Sequence, residues 1–146
     1  PVSPKDNVES ISTNTLLTAS VKTNDQVFPG TTYGTPVADP GNPSGGVINF
    51  NPDGSYTFTS PNFGVFVFTI PVCGAGQVSN CDTETLTINV LNVVDDSNAG
   101  VTNVPMTGNL ATNDITPAGS TYGTPVPSPT ARVPTSRRRP RSRTSR

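Results

Sequence analysis

"GGVINFNPDGSYTFTSP", residues 45–61, reads as a β-hairpin. Ile48 and Phe50 alternate with polar neighbours, and Tyr56 and Phe58 alternate on the way back. Period-two alternation marks a half-buried strand. Between the two runs stands "NPDG". Pro52 presets φ, Asp53 is a turn former, and Gly54 accepts the positive φ that a tight turn demands.

The same pattern extends outward. In "FGVFVFTIPV", residues 63–72, Val65 and Val67 point one way and Phe66, Phe68 and Ile70 the other, which predicts a central strand apolar on both faces. In "ETLTINVLNV", residues 84–93, Leu86, Ile88 and Val90 point inward while Thr85, Thr87 and Asn89 point outward. Upstream, "VESISTNTLLTASVKTND" predicts two short strands ending in a turn, "TYGTPVAD" a third, and "PGNPSGG" a loop. The pattern amounts to about seven strands with turn signals roughly every 8–12 residues. It predicts an all-β fold, an immunoglobulin-like Greek-key β-sandwich. No segment has helical periodicity.

The chain also repeats itself. "TNDQVFPGTTYGTPV" at 23–37 and "TNDITPAGSTYGTPV" at 112–126 share ten of fifteen positions at an offset of 89. The offset holds upstream, where Asp6 falls on Asp95, Asn14 on Asn103 and Thr18 on Thr107. Such periodicity is the signature of a repeat architecture. Residues 1–94 are therefore expected to form one complete repeat. Residues 95–130 form the N-terminal part of a second, with about three strands and no counterpart of the later ones. Residues 131–146 form an Arg-rich tail, expected to be disordered and outside the fold.

Charge marks the same boundary. All ten acidic residues lie at or before Asp114, and all seven arginines lie at or after Arg132. With Lys5 and Lys22 the only other cations, residues 1–131 carry about −8 and the tail +7. Arginine runs bind phosphate, but no aromatic stacking residues or folded basic face accompany this one, so no nucleic-acid partner is expected. No stretch reaches the roughly 18 apolar residues that span a bilayer, and no basic-then-apolar leader opens the sequence. Cys73 and Cys81 bracket "CGAGQVSNC" between two strand-like runs. Paired strands bring Cα atoms within bridging distance, so a hairpin disulfide is expected, and with it an oxidising compartment. Two thiols without a histidine fall short of a metal site.

"NPDGSYTFTSPNFG", the "TND" stretch and "TLTINVLNVVDD" together resemble the Ig-like and cadherin-like tandem repeats of large bacterial surface proteins. "CGAGQVSNCDTETLTI" is similar to a Cys-bracketed variant in surface proteins of the Bacteroidetes. The resemblance covers residues 6–130 and implies a secreted or cell-surface adhesion module. Two departures stand out. The "S-F-x-Y" segment of the family appears here as "GVFVFTIPV". The acidic insertion that follows "ND" in calcium-rich relatives is replaced by "QVFPG" and "ITPAG".

Calcium is the one cofactor to weigh. Asp95 and Asp96 lie at the inter-repeat junction, where cadherin-like arrays place hard oxygen ligands, and Asp25 and Asp114 could add carboxylates. Ca²⁺ takes six to eight oxygens. Asp and Asn that cap turns through their own backbone explain the same residues, and both readings stand at this stage. Catalysis is not expected. The chain has no histidine, which removes Ser-His-Asp and Cys-His arrangements. Glu9 and Glu84 form no evident acid pair in the sequence. No Asn lies in a glycosylation sequon; "NPS" at Asn42 is blocked by Pro43.

The expected function is therefore a non-catalytic extender repeat of a bacterial surface adhesin or fibre, with neighbouring repeats or copies of itself as partners. Two alternatives compete with it. One is a subunit that exchanges strands between chains to build a fibre. The other is a ligand-binding accessory module, for which Tyr33 and Tyr122 are the repeated aromatic candidates.

Overall fold

Alternating β-branched, aromatic and polar residues form strands because their side chains pack on one face of a pleated surface and leave the other wet. The computed structural model describes residues 2–128. Eight strands follow in order: β1 (Asn7–Ser12), β2 (Leu17–Ser20), β3 (Thr32–Tyr33), β4 (Val37–Ala38), β5 (Val47–Phe50), β6 (Ser55–Thr59), β7 (Gly64–Cys73) and β8 (Asp82–Leu91). They make an all-β fold of two sheets. One runs β1-β8-β7-β3 with β4 also on β7, and the other runs β2-β6-β5. β1 lies parallel to β8, and every other named pair is antiparallel.

The count is eight because "TYGTPVAD" is two strands. Tyr33 pairs with Val72 but Val37 with Thr69, a one-residue slip in register. Pro36 has no N–H to donate, and the intervening Gly34 N–H reaches the Pro71 carbonyl at 2.8 Å. A ladder interrupted in this way bends and resumes out of phase.

The hairpin at 51–55 closes as its chemistry demands. The Gly54 N–H donates to the Asn51 carbonyl at 3.0 Å, and Gly54 sits at φ +89°. Asp53 accepts from the Ser55 N–H at 3.0 Å and from its hydroxyl at 2.6 Å. Those bonds hold the Asp53 carboxyl below its usual range.

The core lies between the sheets. The Phe58 ring of β6 meets Phe66 and Phe68 of β7 edge-on, at centroid distances of 5.1 and 6.1 Å. Val21, Tyr33, Tyr56, Ile70, Val72, Leu86, Ile88 and Val90 fill the rest. β7 lies between β8 and the short β3/β4 pair, but only its Phe66/Phe68/Ile70 face is buried. Val65, on the other face, is exposed. Val67 beside it is half-covered by the 40–46 loop, whose Asn42 side chain exchanges two hydrogen bonds with the Val67 backbone. Close approach also fixes Gly46: a Cβ there would stand 2.6 Å from Phe66.

Cys73 and Cys81 are joined, with Cα atoms 4.7 Å apart, tying the end of β7 to the segment before β8. Among the described residues beyond β8 no regular strand forms. There is an isolated bridge between Asn92 and Ile115 and a 3-10 turn at Leu110–Thr112. Of the strands expected in 95–130, none forms among the described residues 95–128, since an extended segment needs a neighbour for its backbone groups. In this stretch there are no counterparts of β6 and β8 to pair with. The Arg-rich tail lies outside the described residues.

Candidate functional site

The repeated "TND…TYG" motif builds one hydrogen-bonded clamp twice. In the first copy Ser20 caps the 3-10 turn Val21–Asn24, accepting from the Lys22 N–H. The turn delivers Asn24 and Asp25 to the start of β1. Asn24 donates its side-chain amide to the Asp6 carbonyl at 3.1 Å. One Asp25 oxygen accepts the Lys5 N–H at 2.7 Å, and the other accepts the Tyr33 hydroxyl at 2.7 Å. In the second copy Asn109 caps the turn at Leu110–Thr112. Asn113 donates to the Asp95 carbonyl, Asp114 accepts the Val94 N–H at 2.7 Å, and the Tyr122 hydroxyl reaches its second oxygen at 2.9 Å. Even the αL turn repeats, with Asn14 at φ 58° and Asn103 at φ 60°. The local part of each clamp is the capped 3-10 turn, whose Ser20 or Asn109 side chain bonds the backbone two residues on; the Asn and Asp bonds then reach 18–20 residues back.

The surroundings of the two clamps differ. Tyr33 is 3% exposed and Val21 0%, whereas Tyr122 is 46% exposed and Leu110, the counterpart of Val21, 52%. Burial raises the Tyr33 hydroxyl well above its ordinary range, helped by the bond and charge of Asp25 and by Glu84. Tyr122 is raised by its bond to Asp114.

Glu84, weighed in the sequence only as half of an acid pair with no evident partner, is buried in the fold. It is 2% exposed and projects inward from β8 below Leu86. Neither of its oxygens has a hydrogen-bond donor among the described residues. Burial pushes its carboxyl up to about 8, and the charges of Asp25 and Asp6 push the same way. An unpartnered buried carboxylate is costly, so the fold favours the protonated acid at Glu84. In that form its own proton can bridge toward Asp25. The signal was in the phase of the strand: 84, 86, 88 and 90 share the inward face.

The calcium candidates do not gather into one site. Asp25 belongs to the first clamp, while Asp95, Asp96 and Asp114 belong to the second, 89 positions on. No three acidic or thiol side chains among the described residues converge as metal ligands. Both oxygens of Asp25, and both of Asp114, face N–H and O–H donors. Pro52, Asp53 and Gly54 form the hairpin turn described above. Tyr33 is covered by the fold and offers no ring face to a ligand.

No protein-family model matches the chain, and neither does any curated protein. Among the described residues no helix is long and apolar enough to cross a membrane.

Proposed function

We propose that the chain is a non-catalytic extracellular module, an immunoglobulin-like Greek-key sandwich that serves as an extender repeat of a bacterial surface adhesin. The observation that carries this reading is the clamp made twice, 89 residues apart, each time where a strand pattern is about to begin. A protein built by handing one unit on to the next needs such a joint and needs no active site. The disulfide at Cys73–Cys81 supports an oxidising location. The test is topological. Antibody raised against the chain should label intact source cells and lose its target after surface proteolysis. Labelling only after lysis overturns the extracellular assignment.

A second reading, strand exchange into a fibre, is favoured by the uncovered Leu110 and Tyr122. It meets two physical objections. Within one chain, residues 95–128 cannot replace residues 6–39, because β1 is parallel to β8 and a parallel crossover needs roughly a dozen residues or more. Between chains, each copy holds one set of β5–β8 and two claimants for it, so exchange covers one face by uncovering another. Light scattering decides between the readings: a monomer at every concentration, with calcium or with EDTA, removes the fibre reading, and concentration-dependent oligomers restore it.

A further inference from the structure

The second clamp does more than repeat the first: it seats on the unit before it. Ile115, Thr116 and Pro117 face Phe63, Val65 and Val90 across a cleft of about 180 Å³. The Asn92–Ile115 bridge holds them there, with mutual N–H to carbonyl bonds of 2.9 and 2.8 Å. This is a head-to-tail joint. The exit end of the first unit, at the start of β7 and the end of β8, meets the loop that follows the "TND" turn of the next.

The first unit carries the same loop, and there Val27 packs against the unit's own core while Phe28 stays exposed. Gln26, Val27 and Phe28 are the counterparts of Ile115, Thr116 and Pro117. Ser3 stands where Asn92 stands and makes the same two-way bridge, to Gln26, at 2.8 and 3.1 Å. Residues 2–5 thus already lie in the pose of a linker leaving a β8-like strand. Beside them Ser3, Asp25, Gln26, Val27 and Phe28 line an open groove of about 430 Å³. Pro117 is half-buried in its joint, while Phe28 is 62% exposed. The Phe28 ring is free to anchor a neighbour, and the equivalent loop at Ile115–Pro117 shows which surface would cover it.

We propose that the Val27–Phe28 groove is the docking surface for the exit end of a preceding unit of the same kind, and that Phe28 is its anchor. The occupant is the apolar cluster equivalent to Phe63, Val65 and Val90. The inference rests on the extender reading, and it adds that the units are stacked on one another and not merely strung together. Such a contact is heterologous, since different surfaces meet, and it propagates without closing.

A tandem polypeptide tests it: residues 1–94 joined directly to residues 6–146, so that the upstream Val94 takes the place of Lys5. All the buried hydrophobic core residues of a unit lie between 21 and 90, so the added unit carries a whole core. In ¹⁵N relaxation the two units should tumble with one correlation time, and Phe28→Ser in the downstream unit should split it into two. In the single chain the same substitution should leave the urea midpoint unmoved, because the ring there is in water. Independent tumbling of the unmutated tandem overturns the proposal, and so does a tandem whose common tumbling survives Phe28→Ser. Either result leaves the surface-labelling test of the extender reading untouched, since flexible strings also extend.

Discussion

Replacing Glu84 with Gln should abolish a fall in stability that the parent chain shows between mildly acidic and alkaline pH. The carboxyl has an ordinary value of 4.5 and a folded value of about 8. Its folded pKa is raised, so the folded state holds the proton more tightly than the unfolded one. The resulting stability is complete below pH 4.5 and drains away as pH rises through about 8. At 1.36 kcal/mol per tenfold, that gap sets an upper figure of about 5 kcal/mol. Relaxation and water entry around a newly ionised group bring the measured loss to on the order of 3 kcal/mol. Gln keeps the shape and cannot ionise. The assay is urea unfolding by far-UV circular dichroism from pH 4 to pH 9.5, parent against Glu84→Gln. The difference between the two curves isolates this one group from the other carboxylates. The variant should be the more stable protein at pH 9, with the two converging toward pH 4. A parent whose stability is flat or rising across that window, or a variant that keeps the slope, would refute the buried-acid account.

The duplicated clamp gives an internal control. Tyr33→Phe should cost about 1–2 kcal/mol, because it strands a half-buried Asp25 oxygen, whereas Tyr122→Phe should leave the melt unchanged. Replacing both Cys73 and Cys81 with Ser should cost about 2–3 kcal/mol on the loop-entropy model, read as a lower urea midpoint. Phe58→Ala removes the ring between Phe66 and Phe68, and should cost about 3–5 kcal/mol. Gly46→Val drives a side chain into Phe66 and should cost about 1–3 kcal/mol by overpacking. Thermal melts of the full chain check both.

Much of the fold was legible because its signals are local. The 51–55 turn, the inward phase of Leu86, Ile88 and Val90, and the Cys73–Cys81 bridge each follow from a few consecutive residues. What failed was context. "TYGTPVAD" looks like one strand until Pro36 has to share a ladder with β7. Val65 and Val67 look like a second buried face until the neighbouring layer proves absent on that side. Residues 95–128 contain strand-like runs that no partner completes. Glu84 is the instructive case within the candidate site. Its inward phase was readable, but that it would meet Asp25 and Asp6 depends on the parallel placement of β1 beside β8. Nothing short of the sheet order reveals that.

The two clamps separate what a sequence repeat guarantees from what it does not. Asp25 and Asp114 make the same pair of bonds, although only the first lies under a core. The turn is therefore encoded by residues within about 20 positions of one another, and it is made whether or not a sandwich covers it. Burial depends on non-local contacts, and it distinguishes the covered Tyr33–Asp25 bond, with a buried acid beside it, from the solvated Tyr122–Asp114 bond. A chain made this way can present a finished docking loop at the head of each unit whether or not that unit has completed its core. The joint at Ile115–Pro117 then needs only the exit end of the preceding unit, and this explains why the loop there is seated while the strands around it remain unformed.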